Sequence, residues 1–246
     1  MQELIAYIEQ LNQEYAKLPL FEFLDDKSIE PSQKLSFAPC IAHFIMSFGD
    51  LNKYVVREKN ANTKVQQIIN EHTYEDDHHW PWFITDLEKL GYNSQMNFTQ
   101  VLRFLWGEQT KVSRQLSYHL SAYMLEADPV IKIIAIEAIE ATGNVLFSRT
   151  NKAASELQAI TKQEYIYFGH FHFNLESGHA MGSPGGEDFL AKIELTDLQR
   201  QQAFDVVNKV FKIFTEWTHE LLAYAQKQNQ EATIIKESKN TLTVCV

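Results

Sequence analysis

The chain has 246 residues, a mass of 28.5 kDa and a formal net charge of −10. Hydrophobic residues make up 45% and charged residues 22%, the makeup of an ordinary globule and neither a disordered tail nor a disulfide scaffold. The acidic balance argues against a nucleic-acid partner, which calls for a basic patch.

Gly (9) and Pro (6) fall below the roughly 17 and 12 that average usage would place in a chain of this length. Few turn-formers mean few turns and long elements, so the expectation is an all-α bundle of about seven helices rather than a sandwich or barrel. Cys40 and Cys245 make no disulfide framework. No apolar run is long enough to span a membrane. The start, MQELIAYIEQ, lacks the basic and apolar regions of a signal peptide. Together these point to a cytoplasmic protein with no membrane partner.

Residues 1–17 predict a first amphipathic helix, with Leu4, Ile5, Ile8 and Leu11 on one side. A loop is expected from about Asp25 to Ser36. Helical spacing returns over 37–58, where Ile41, Phe44, Ile45, Phe48, Leu51 and Val55 recur at threes and fours. A third helix is expected from Asn62 to His79, ended or kinked at Pro81 and continued from Trp82 to Leu90. Gly91 suits the residue after that helix. Further helices are expected over 98–106 and 111–126. Asp128 and Pro129 read as N-cap and first helical residue of a helix reaching Arg149.

Residues 152–181 are mostly helical by pattern, although FGHFHFNL (168–175) alternates like a strand when taken alone. SPGGED (183–188) is a loop. Thr196 and Gln199 form a capping box before a last helix from Asp197 to about Gln226. One domain over 1–228 and a loose polar tail over 229–246 are expected.

Six of the nine histidines fall within 72–79 and 170–179. In the second window His172, Glu176 and His179 stand at i, i+4 and i+7. At about 100° per residue they share one helix face. In and just before the first window, Glu71 and His78 are seven apart, with Glu75 and His79 as a competing pair. Glu140, with Glu137 one turn earlier, interrupts the apolar IKIIAIEAIEATG. A carboxylate on an apolar face is costly unless something pairs with it, and a metal ion would do so. The set Glu71, His78, Glu140, His172, Glu176 and His179 supplies three carboxylates and three imidazoles. Two ions sharing bridging carboxylates call for such a number. Imidazole with carboxylate suits Fe(II), Mn(II) or Zn(II).

On these residues the chain resembles the heme-oxygenase-like di-metal oxidases, and within them the CADD-like proteins. The matching pattern is Glu71-x6-His78, then Glu140, then His172-x3-Glu176-x2-His179, with Glu176 where the family often has Asp. The resemblance covers nearly the whole chain and implies a single heme-oxygenase-like bundle. It also implies two non-heme metal ions, iron or iron with manganese, that activate O₂ to oxidise or cleave a small organic molecule. The CADD-like group is implicated in making p-aminobenzoate from its own Tyr, with a Lys as amine donor. Tyr165, Tyr167 and Lys152 lie near the triplet here, but Phe168 stands one turn before His172. The fold further suggests a homodimer.

Two other readings stay open. One is a metal-free enzyme, thiaminase-II-like or cofactorless, with Glu and His as general acid and base. The other is a non-catalytic interaction protein. His170 is expected to point away from the triplet. His43, His119 and His219 are expected in structural roles, the four Trp residues in the core or a pocket, Cys40 as a buried inert thiol, and the run EDD (75–77) on a solvated face.

Overall fold

The computed structural model describes residues 1–176 and 191–243. Among these the chain is helical and contains no strand. The opening helix, α1 (Gln2–Tyr15), buries Leu4, Ile8 and Tyr15. Two short helices follow, α2 (Pro19–Asp25) and α3 (Pro31–Lys34). Each starts on a proline, whose missing N–H costs nothing in a first turn. They occupy part of the stretch expected as a loop. The next expected helix is divided into a 3₁₀ segment (Leu35–Ile41), α4 (Ala42–Leu51) and a π turn (Asn52–Val56). Pro39 sits inside the 3₁₀ segment and removes one amide donor there.

Helix α5 (Lys64–Asp76) is capped by the Thr63 side chain, which accepts the Gln66 N–H. It stops short of the expected His79. Helix α6 (Trp80–Lys89) restarts with Pro81 in its first turn. It ends at Gly91, which adopts φ +88°. There the Gly91 N–H donates to the Glu88 carbonyl at 3.0 Å and the Tyr92 N–H to the Leu87 carbonyl at 2.9 Å. This is the paired closure that a left-handed residue permits.

Helices α7 (Phe98–Leu105) and α8 (Lys111–Met124) come next. Helix α9 (Pro129–Thr161) begins as expected, with the Asp128 side chain accepting the Val130 N–H at 2.8 Å. It runs past Arg149 because no breaker intervenes and Thr150, Ala153, Ala154 and Leu157 keep a buried face. It closes on Lys162, which is left-handed at φ 63°. Residues 162–169 are irregular. Helix α10 (His170–Glu176) resolves FGHFHFNL in favour of helix. In the last helix, α11 (Asp197–Thr243), Thr196 and Gln199 make the expected reciprocal cap at 3.1 and 3.2 Å. It continues through the stretch read as a loose tail, where no Gly or Pro stops it.

Helix α9 is the centre of the bundle. It packs on α1, α2, α3, α5, α10 and α11 and is buried almost all round near its start. Phe44 of α4 with Phe214 and Trp217 of α11 form an edge-to-face trio, centroids 5.3–5.7 Å apart. Together with α9 they wall the region described next. Among the described residues, no helix is long and apolar enough to cross a membrane.

Candidate metal centre

Val65 and Ile69 anchor one face of α5 in the core. Continuing that face by turns of three and four residues brings His72 and Asp76 inward. Across from them, α9 presents Glu140, which is buried. His72 Nε2 lies 3.0 Å from Asp76 Oδ2 and 3.4 Å from Glu140 Oε1. One ligand atom from each of the three lies within 4.8 Å of the others. Burial alone would push the His72 imidazole down, but its contacts with Asp76 and Glu140 hold its pKa well above the ordinary value. Asp76 is 3% exposed, and its Oδ1 accepts no hydrogen bond. A buried carboxylate oxygen left in that state is costly, and a cation would satisfy it.

A pair of imidazoles lies nearby. His172 of α10 is 1% exposed, with Nδ1 2.8 Å from the Tyr167 carbonyl and Nε2 3.1 Å from His79 Nδ1. A carbonyl only accepts, so Nδ1 carries a proton, and in the neutral ring Nε2 keeps its lone pair. Histidines that ligate metals are commonly held this way. His79 sits just before α6. Its ring stacks on Trp82, centroids 4.6 Å apart and planes 18° apart.

Asp76, His79, Glu140 and His172 all line one cavity of about 60 Å³. Asp77 also lines it, and most of its other walls are apolar, among them Phe44, Phe48, Leu146, Phe147, Phe214 and Trp217. That is room for a few water-sized molecules.

The junction between α5 and α6 is clamped on both sides. Arg57 donates to Thr73 Oγ1 at 3.1 Å, to the Thr73 carbonyl at 2.5 Å and to Asp77 Oδ2 at 2.8 Å. Its guanidinium also lies 3.6 Å from the centre of the Tyr74 ring. From the other side α4 approaches so closely that a Cβ on Gly49 would stand 2.9 Å from the Asp77 carbonyl oxygen. Glycine is required at this contact.

The ligands expected from sequence are distributed unevenly. Glu140 and His172 face the cavity. Glu71 is exposed and the His78 side chain is 72% exposed. Their neighbours His72 and His79 are turned inward instead. The register shifts by one because the Val65–Ile69 stripe fixes which side of α5 meets the core. Glu75 is exposed, so of the competing pair only His79 is inside. Glu137 faces α1, beside Leu4, Ile5 and Ile8, and not the cavity. The side chain of Glu176, and His179 altogether, lie outside the described residues, as does the SPGGED loop. Asp76 and Asp77 are buried, against the expectation of a solvated run.

Two signals in the sequence pointed to the inward set. His72 and Asp76 extend the Val65–Ile69 face. His72-x3-Asp76-x2-His79 also repeats the spacing of His172-x3-Glu176-x2-His179.

The remaining candidates fall out plainly. His170 is exposed and lies 2.9 Å from the Asn174 side-chain amide. Tyr167 is buried against His172, ring centroids 4.7 Å apart. Tyr165 is buried too, whereas Lys152 is at the surface, 3.3 Å from Asp25. Cys40 is fully buried, and burial pushes its thiol far up, so it is inert at neutral pH. Trp217 is core, Trp82 stacks on His79, and Trp80 and Trp106 are substantially exposed.

No family model and no curated protein matches the chain. Among solved structures it is similar to the crystal structure of a domain of unknown function with a heme oxygenase-like fold from Shewanella denitrificans. Identity is 14%, the match covers 92% of this chain and 91% of that one, and the TM-score is 0.59. The protein therefore has a heme oxygenase-like all-α fold. The likeness reaches the fold and not the CADD-like group. That fold serves both di-metal oxidases and metal-free enzymes, and this chain adds to it a His/Asp/Glu group able to hold a metal.

Proposed function

We propose that the protein is a metal-dependent, O₂-using oxidase or oxygenase acting on a small organic molecule. The observation that supports this is the group His72, Asp76 and Glu140, whose Asp76 Oδ1 accepts no hydrogen bond and whose two buried carboxylates line a largely apolar cavity. The donor set fits the metals that the sequence resemblance implies, because imidazole with carboxylate suits Fe(II), Mn(II) or Zn(II) better than magnesium or calcium.

His72, Asp76 and Glu140 would hold an ion, with His79 and His172 beside it. Glu176 and His179 remain ligand candidates on their spacing alone. Bound there, iron or manganese supplies the redox chemistry that activates O₂. The chain's own residues supply the rest. His72 Nε2 sits between two carboxylates and would give up any proton it carries on ligating a metal. The Tyr167 carbonyl fixes the His172 ring. Phe44, Phe147 and Trp217 present an apolar wall to substrate.

The test is metal content by elemental analysis after anaerobic loading with Fe(II) and Mn(II), followed by O₂ consumption. At least one metal per chain, falling sharply in His172→Ala, is the expected result. Wild-type protein that holds no metal overturns the reading in favour of acid–base chemistry by the same His and Glu residues.

A further inference from the structure

The metal reading uses His172 but does not explain how an irregular segment aims it. Residues 162–169 lie in neither helix nor strand. From the side, α6 inserts Asp86, which is wholly buried. Its Oδ1 accepts the Ile166 N–H at 2.9 Å and its Oδ2 the Phe168 N–H at 3.0 Å. The peptide between them carries the Tyr167 carbonyl, which takes the His172 Nδ1–H at 2.8 Å. The turn is also too tight for a side chain at Gly169, where a Cβ would fall 1.9 Å from the Tyr165 carbonyl oxygen.

We propose that Asp86 is a positioning residue for the metal centre: by gripping the 166 and 168 amides it fixes the Tyr167 carbonyl, and thereby the tautomer and aim of His172. The metal part of this rests on the function proposed above; the tautomer part does not.

The physical case is one of replacement. A regular element would tie down the 166–168 backbone with its own hydrogen bonds. Here one carboxylate does so from outside, with both oxygens used on amides two residues apart. Burial pushes the Asp86 carboxyl up and the backbone N–H groups pull it back, so this is an expensive group to keep for packing alone. An amide side chain could satisfy one N–H and would set its own N–H₂ against the other. The segment would then relax, and the Tyr167 carbonyl with it. Trp82, one turn before Asp86 on the same helix, stacks on His79. Helix α6 therefore supports both imidazoles of the facing pair.

The test is long-range ¹H–¹⁵N correlation on metal-free, ¹⁵N-histidine-labelled protein, with His172 assigned by its loss in His172→Gln. Mn(II) affinity is measured beside it. Wild type should show the Nδ1–H form of His172. Asp86→Asn should mix or invert the tautomers and weaken Mn(II) binding about 10–100-fold, the range for loss of an outer partner of a metal-ligating histidine. Glu220→Gln, whose carboxylate caps α8 and makes no contact with the 166–168 segment, controls for general destabilisation and should leave both readouts unchanged. A wild-type His172 protonated on Nε2 overturns the proposal without any variant. So does an Asp86→Asn protein with the wild-type tautomer. A tautomer change without metal binding in any protein supports the role of Asp86 and overturns the metal reading alone.

Discussion

Two buried polar clusters in this bundle are built to opposite rules. Where α8 meets α11, Glu220 accepts the Val112 N–H at 2.7 Å and the Ser113 N–H at 2.8 Å, one on each carboxylate oxygen. It thus closes the exposed amides of a helix N-terminus, where negative charge is favoured. Ser113 Oγ in turn accepts the Trp217 Nε1–H at 2.7 Å. Asp76 and Glu140, by contrast, share the His72 Nε2 atom at 3.0 and 3.4 Å, and Asp76 Oδ1 accepts no hydrogen bond. The first cluster is complete as it stands and serves the fold. The second leaves Asp76 Oδ1 without a hydrogen bond and could hold a cation, so it is the one to read as a candidate site.

Substitutions should separate the two. The largest effect is expected in the second cluster: His72→Ala or Asp76→Ala should lower Fe(II) or Mn(II) affinity by about 100-fold or more. Isothermal titration under anaerobic conditions would check it. Glu220→Ala should do the reverse. Leaving two amides without their charged acceptor should cost about 3 kcal/mol. That lowers Tm by roughly 6–12 °C in a domain of this size, with metal content as in wild type.

Gly49→Ala tests the junction that carries the second cluster. The added methyl meets the Asp77 carbonyl oxygen, so a loss of about 1–3 kcal/mol by denaturant unfolding is expected, together with weaker metal binding. The smallest effect belongs to Glu71→Ala and His78→Ala. Both side chains are at the surface, so each should change stability by less than about 0.5 kcal/mol and leave metal binding alone. A marked loss of metal in either would bring the Glu71/His78 pairing back.

Helix starts and stops were the legible part of the sequence, because each depends on a few neighbouring residues. Asp128–Pro129, Thr196–Gln199 and Gly91 all behave as their local chemistry dictates. Less legible were the helix ends without a breaker. Helix α9 passes Arg149 and α11 passes Gln226 on nothing more than continued helix-forming residues, and where such helices stop is set by tertiary packing. In the site, Glu140 and His172 were readable as carboxylate and imidazole on apolar faces. The register of α5 was not settled by the run EHTYEDDHH alone, since its pairs at four and seven compete. Val65 and Ile69, a turn or two upstream, decide it. His79 lay beyond any helical argument, because the chain leaves α5 at Asp76 and restarts at Trp80, and its direction comes from Arg57, Gly49 and the stack on Trp82. Asp86 gave no sign of its role, since its partners are backbone amides about eighty residues away.

His72, Asp76 and Glu140 are the metal ligands proposed above. The most direct measurement is a Mn(II) titration followed by electron paramagnetic resonance, run side by side on wild type, His72→Ala and the double variant Glu71→Ala/His78→Ala. Tight binding in wild type and the double variant, lost in His72→Ala, is the predicted result. Loss of binding in the double variant with His72→Ala unaffected would contradict it.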